Sequence, residues 1–257
     1  MYGSGTARTP RRRPGDRRRT SELPGRAFEA GLAVAILLLI VPVLAAIALL
    51  IKLDSSGPVL FRCRRLGYRG REFEMLKFRK MRVDAVGAPL TSADDLRFTP
   101  IGRILAVMKL DELPQLWNVI RGDMSFVGPR PEDPYFARQY EGAYQKILQV
   151  RPGITGLSQL AFARESTLLA RPDCVRYYTE RLLPQKVAID LLYVRRKSRV
   201  LDARIVAWTL LAVGGSRDVA VSRETAMLTL RRPRVGDGSL WEQEPLLPDS
   251  VAGEVAS

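Results

Sequence analysis

From Phe28 to Ile51 the chain reads FEAGLAVAILLLIVPVLAAIALLI, with Glu29 as its only charge. That run exceeds the roughly 20 apolar residues a helix needs to cross a bilayer, and it predicts a membrane helix over residues 27–52. It is too long for the core of a signal peptide, offers no good cleavage site, and continues directly into Lys52 and a long globular sequence. Its flanks restrict its path. Residues 1–26 carry eight arginines against Asp16 and Glu22, and the stretch from Lys52 to Arg82 adds Arg62, Arg64, Arg65, Arg69, Arg71, Lys77, Arg79 and Lys80. A straight crossing sends one of these basic flanks outward, against the cytoplasmic bias of Lys and Arg. Pro42, near the middle, removes one helical hydrogen bond and lets the axis bend. A re-entrant helix that breaks at Pro42 and returns to the face it came from satisfies both observations. A straight span stays open, because prolines are tolerated within true crossings.

The 257 residues suffice for one domain with tails. A formal charge of +14 implies an anionic partner: nucleic acid, lipid headgroups or a phosphorylated substrate. There is no histidine, which excludes Ser-His-Asp and Cys-His nucleophiles, His-ligated zinc and histidine general bases together. Catalysis must rest on carboxylates, Lys, Arg, Tyr, Ser or backbone. Cys63 and Cys174 are far apart and read as reduced thiols. Residues 1–26 lack large apolar side chains and read as a disordered basic tail, either simply solvated or lying against anionic lipid.

Beyond the membrane segment, residues 58–81 form two strand-like runs around Gly67 to Gly70, a hairpin rich in Arg and Lys. Residues 101–110, 135–150 and 201–213 have helical spacing; the last is apolar enough to lie in the membrane interface, with ordinary core packing as the alternative for each. After Gly214 the pattern fades, so 53–213 reads as the functional body and 214–257 as a flexible tail. The expected class is a mixed, helix-rich α/β protein with a re-entrant helix, a small hairpin and interfacial amphipathic helices.

The stretch from Lys109 to Pro131, KLDELPQLWNVIRGDMSFVGPRP, holds the chemistry. Asp111 and Glu112 precede Leu113-Pro114, a helix-start signal. They either cap that helix or present ionised carboxylates, favoured by the helix dipole, to a divalent cation or to phosphorus. Gly128-Pro129-Arg130-Pro131 describes a rigid loop presenting Arg130, suited to a phosphate or else solvated. Arg151 to Gly156 makes a second stiff turn with a cation and a hydroxyl. Lys77, Arg79 and Lys80 add cations close to the membrane segment, for a diphosphate or simply for the surface. No G-x-x-x-x-G-K-[ST] or G-x-G-x-x-G fingerprint is present.

Taken in order, the proline-containing apolar helix, GPVLFRCRRLGYRGREFEMLKFRKM, LDELPQLWNVIRGDMSFVGPRP and RPGITGLSQL resemble the bacterial sugar transferase family. These are the monotopic polyprenyl-phosphate phosphoglycosyl transferases that start capsule, exopolysaccharide and glycoprotein glycan assembly, here in what looks like their minimal form. The likeness covers roughly residues 26–213. It implies a re-entrant helix with both termini cytoplasmic at the bacterial plasma membrane, magnesium dependence, and a two-step reaction. Asp111 would attack the sugar-linked phosphate of a UDP-sugar, releasing UMP, and polyprenyl phosphate would then take the phosphosugar. Glu112 would share metal or proton handling with Asp111, Arg130 would hold phosphate, and Lys77 and Arg79 fall in a basic K-F-R motif suited to anions. Three positions depart from the family pattern: Val41 before Pro42 where Ser is frequent, Lys109 where Ser or Thr is common, and LAFARES after Gln159. Anionic lipid is an expected partner and nucleic acid is not; oligomerisation stays open, as does the sugar. Two rivals remain, a membrane-tethered nucleic-acid binder with steep salt dependence and an inactive scaffold of a polysaccharide assembly complex.

Overall fold

The computed structural model describes residues 14–87, 90–138, 141–215, 219–222 and 225–230. Helix α1 runs from Pro14 to Asp54, so the basic tail expected over 1–26 is divided: residues 1–13 lie outside the described residues, and 14–26 extend the helix. The extension has a cause in Arg26. Its guanidinium pairs with Glu29 at 2.8 Å and donates to the carbonyls of Val119 and Met124 at 3.0 and 3.1 Å, which ties this turn to the body. The break expected at Pro42 is not there: helical backbone continues through the proline without interruption. The proline removes the single hydrogen bond to the Leu38 carbonyl, a loss the flanking turns absorb.

One stripe of α1 is covered by protein. Ala33 packs with Met75, Leu116, Val119 and Met124, and further along Ile47 and Ile51 pack with Phe78 and Leu105. The other faces expose Leu38, Leu39, Leu49 and Leu53. Only 11 % of the most apolar window of Gly25–Asp54 is buried. A core helix of a soluble domain would be mostly covered; this one is membrane-associated.

The hairpin pairs β1 (Leu60–Leu66) with β2 (Glu72–Phe78) in antiparallel register from Leu60↔Phe78 to Leu66↔Glu72. Helix α2 (Pro100–Val107) starts on a Thr99 cap, whose hydroxyl accepts from the Gly102 amide at 3.0 Å. A left-handed Lys109, φ 58°, then turns the chain into a short 3-10 segment, Leu110–Glu112, and α3 follows from Gln115 to Arg121. Strand β3 (Ser125–Val127) lies parallel to β4 (Gly153–Thr155). Here the two stiff turns read from sequence meet: the Gly128 amide bonds the Thr155 carbonyl and the Gly153 amide the Pro129 carbonyl, both at 2.9 Å. A Cβ on Gly128, Gly153 or Gly156 would stand 2.1 to 2.3 Å from backbone atoms of the facing turn, so only glycine permits this approach.

Between the strands lie α4 (Pro134–Ala137) and α5 (Glu141–Ile147). After β4 come α6 (Leu157–Ala161), α7 (Glu165–Leu168) and α8 (Cys174–Tyr177), which runs through one π turn, Tyr178–Leu182, into α9 (Leu183–Arg196). These helices and α10 (Arg199–Gly215) close the main core around Phe136, Leu157, Tyr178, Leu183, Val187, Tyr193 and Ile205. The apolar stretch 201–213 buries Ile205 in the core, while Val206, Leu210, Leu211 and Val213 face outward. The tail expected from 214 starts differently. Strands β5 (Val219–Val221) and β6 (Leu228–Leu230) pair, and Val219 and Ala226 join the core. Three-residue strands are too short to leave a period in the sequence, which is why composition misread them. Residues 231–257 lie outside the described residues.

Candidate active site

Two short segments converge beside α1: the end of β2 and the residues just past it, carrying Lys77 and Lys80, and the acid turn before α3. Asn118 sets their register. Its buried amide accepts from the Leu76 amide at 3.0 Å and donates to the Glu74 carbonyl at 2.8 Å, so α3 is hydrogen-bonded to the open edge of β2 as a strand would be. Gly102 closes the other side. A Cβ there would sit 1.9 Å from the Lys80 carbonyl, so the first turn of α2 lies directly on the backbone that carries Lys80.

Asp111, 2 % exposed, has its Oδ2 3.3 Å from Lys80 Nζ. That oxygen accepts no hydrogen bond. Glu112 Oε1 receives Lys77 Nζ at 2.8 Å and faces Arg130 Nη1 at 3.8 Å. Neither acid caps α3, whose start is Pro114 without a side-chain cap. Burial penalises the Glu112 carboxylate, but Lys77 and Arg130 outweigh it and hold the group at about 2. Burial likewise lowers Lys80 below the usual lysine range, with Asp111 opposing. Arg130 is kept charged by Glu112, Glu165 and Glu132 against its own desolvation. Of the site residues read from sequence, Asp111, Glu112, Lys77 and Arg130 are brought together, with Lys80 added.

Arg79 is placed elsewhere. It is 5 % exposed and donates to the carbonyls of Ser55 and Ser56 and to the Ser55 hydroxyl, at the C-terminal end of α1. Its guanidinium neutralises the negative end of the membrane helix instead of facing an anion. Side chains alternate within β2, so Lys77 reaches the acid turn while Phe78 packs with Ile47 and Ile51; the strand ends there, and beyond it Arg79 turns to the end of α1 and Lys80 to Asp111. Arg151 stacks over Tyr68 at 4.8 Å and donates to the Gly122 carbonyl, and the Thr155 hydroxyl bonds Thr209 at 2.6 Å. Both hold the fold together.

For magnesium, the donor set fits. Mg2+ takes oxygen ligands, commonly one or two carboxylates completed by substrate phosphate and water. Asp111 and Glu112 supply carboxylates, and among the described residues no group of three His, Cys, Asp or Glu forms a self-sufficient cage.

The family model described as bacterial sugar transferase matches residues 20–216. The chain belongs to that family. It is 41 % identical over 197 residues to an undecaprenyl-phosphate glucose phosphotransferase of Komagataeibacter xylinus, covering 73 % of this chain and 35 % of that one. It is 40 % identical over 196 residues to a UDP-glucose:undecaprenyl-phosphate glucose-1-phosphate transferase of Caulobacter vibrioides, covering 74 % and 69 %. An exopolysaccharide production protein of Rhizobium leguminosarum is 39 % identical over 196 residues, covering 73 % and 93 %. The chain thus spans about a third of the first of these relatives and nearly all of the last. The matched range contains the whole cluster described above, from α1 to the outward face of α10.

Proposed function

We propose that this chain transfers a sugar 1-phosphate from a UDP-sugar to polyprenyl phosphate, as the first committed step of an exopolysaccharide or related glycan. The observation that carries the reading is Asp111: a buried carboxylate whose Oδ2, 3.3 Å from Lys80 Nζ, accepts no hydrogen bond, beside Glu112, which gathers Lys77 and Arg130. That oxygen attacks the sugar-linked phosphorus. The bond from that phosphorus to the bridging oxygen breaks, UMP leaves, and an aspartyl phosphosugar remains. An oxygen of polyprenyl phosphate then attacks the same phosphorus and the Asp111 carboxylate departs, giving the lipid diphosphosugar. Splitting one displacement between two anions into two steps lets the same cations serve each. Asp111 and Glu112 would hold magnesium, which would supply further charge neutralisation at the diphosphate. The relatives at about 40 % identity carry glucose in their names, so UDP-glucose is the first donor to test.

The reading extends to topology. Residues 25–54, about 45 Å of helix at 1.5 Å per residue, touch the body at both ends, through Arg26 on α3 and through Ile51 and Ser55 beside β2. A helix crossing straight through would carry one end away from the body. Both ends on one side, with basic residues at both, supports a monotopic protein at the cytoplasmic face of the plasma membrane, its Pro42 region dipping into lipid. The exposed apolar faces of α2 and α10 then lie in the interface, with hairpin arginines against anionic headgroups. A tethered nucleic-acid binder leaves the buried dyad without a use.

The test is UMP release from a panel of UDP-sugars by the detergent-solubilised chain with polyprenyl phosphate and magnesium. UMP that depends on both lipid and metal, and is lost in Asp111→Asn, is the expected result. Equal UMP release by the variant would remove Asp111 from the chemistry, and no UMP from any donor by folded protein would leave the inactive-scaffold reading.

A further inference from the structure

Arg130 has carboxylates on two sides. In front, Glu112 stands 3.8 Å away. Behind it are Glu132, in the same loop, and Glu165, at the start of α7, both acting on the guanidinium electrostatically. Beneath these two acids lies Lys186 of α9, 3 % exposed. Its ammonium is 3.3 Å from both Glu165 oxygens and 3.6 Å from Glu132 Oε2. It also donates to the Tyr178 hydroxyl at 2.8 Å, and that hydroxyl donates to Glu132 Oε2 at 2.7 Å. The transfer chemistry touches none of these four residues. A buried ammonium is costly unless paired, so its place behind the phosphate-facing loop calls for a reason.

Two carboxylates and one ammonium leave a single negative charge facing Arg130. The guanidinium balances that charge and still reaches toward Glu112. Without Lys186 two negative charges would face it from behind, and the guanidinium would be drawn back from the acid turn. We propose that Lys186 is a positioning residue of the transfer reaction: by neutralising one of the two carboxylates behind Arg130, it sets how much of that guanidinium remains for the diphosphate of the donor. The inference rests on the reading that Arg130 holds phosphate.

The experiment is steady-state kinetics of UMP release by the full chain in detergent, with polyprenyl phosphate, magnesium and the donor used by the wild type. It is run at pH 6, below the value of about 7 to which burial raises nearby Asp190, so that this neighbour stays protonated. Lys186→Met raises KM for the donor about tenfold, with a smaller change in kcat. Adding Glu165→Gln restores the charge count and returns KM to within about twofold of wild type. In an Arg130→Met background Lys186→Met adds nothing further to KM, the non-additivity expected of residues that act through one another. A fall in kcat and in melting temperature with KM unchanged would make Lys186 a core residue only and overturn the proposal. If Arg130→Met itself leaves KM unchanged, the phosphate reading fails and takes this inference with it; if Arg130→Met raises KM and Lys186→Met does not, the inference alone fails. Should Lys186→Met yield no folded protein, Glu165→Gln alone decides: it removes the remaining negative charge behind Arg130 and leaves KM unchanged or lower, whereas a rise overturns the proposal.

Discussion

In front of Arg130, Glu112 takes Lys77 while its neighbour Asp111 has its Oδ2 3.3 Å from Lys80 yet without a hydrogen bond; behind it, Glu132 accepts from Tyr178 and, with Glu165, closes over Lys186. The residue types are the same and the degree of satisfaction is not. The rear cluster joins a loop, α7, the π turn and α9, and its hydrogen bonds hold those elements together. The front cluster has cations in excess of its hydrogen bonds, and that unspent capacity is what a phosphate-bearing ligand can use.

The difference breaks most sharply at Glu112. Glu112→Gln leaves Lys77 and Arg130 without their shared carboxylate and is expected to lower kcat/KM about a thousandfold, while the protein still folds. A group held at about 2 against an ordinary 4.5 contributes its stability fully above about pH 4.5 and loses it as pH falls toward 2. Melting curves of variant and wild type therefore differ at pH 7 and converge at low pH; a gap that persists in acid would separate Glu112 from this electrostatic role. Asn118→Ala comes next. It strands the Leu76 amide and the Glu74 carbonyl and is expected to cost about 3 kcal/mol, read by denaturation in detergent. A loss under 1 kcal/mol would mean that β2 and the acid turn keep their register by other contacts.

At the rear, Asp190 is pushed up to about 7 by burial, with Ser158 and Lys186 opposing and Glu132 adding to the rise. A carboxyl raised in the folded state gives its stability below its ordinary value near 3.8 and loses it as pH rises through about 7. Asp190→Asn should therefore flatten the fall in stability between these limits and leave the variant about 2 kcal/mol more stable at pH 8. Wild-type stability that rises over that interval would contradict the assignment. The smallest effect is expected at Lys109, exposed and left-handed ahead of the acid turn. Lys109→Gly relieves the backbone and stabilises by about 0.5 kcal/mol. UMP release within twofold of wild type would show that the strain there is incidental to the chemistry.

Much of the front cluster was legible in sequence because it is local: LDELP, GPRP and the K-F-R run each announce themselves within a few residues. The hairpin and the membrane helix were legible for the same reason. What joins them was not. Asn118 looks like an ordinary helix residue until α3 meets the edge of β2, and Gly102 becomes indispensable only where α2 crosses Lys80. Arg79 was read as an anion site from its motif, but burial against the end of α1 decides its partners. For Lys186 a signal did exist: Leu183, Val187 and Asp190 fall with it on one helical face, so a lysine and an aspartate four residues apart sit on an apolar stripe. Such a pair on a buried face asks for further partners, and Glu132, Glu165 and Tyr178 answer from distant parts of the chain.

Helix α1 also bears on how the protein can be handled. Its inner stripe is the lid of two apolar clusters, and the two residues just past its end, Ser55 and Ser56, supply two carbonyls and a hydroxyl to the buried Arg79 guanidinium. Cutting it away would bare Met75, Val119, Met124 and Phe78 to water and strand a charge, so a shortened chain is not a soluble version of this protein. A water-soluble form has to keep the helix and recolour its outside, with polar residues at Leu38, Leu39, Leu49 and Leu53 and the inner stripe untouched.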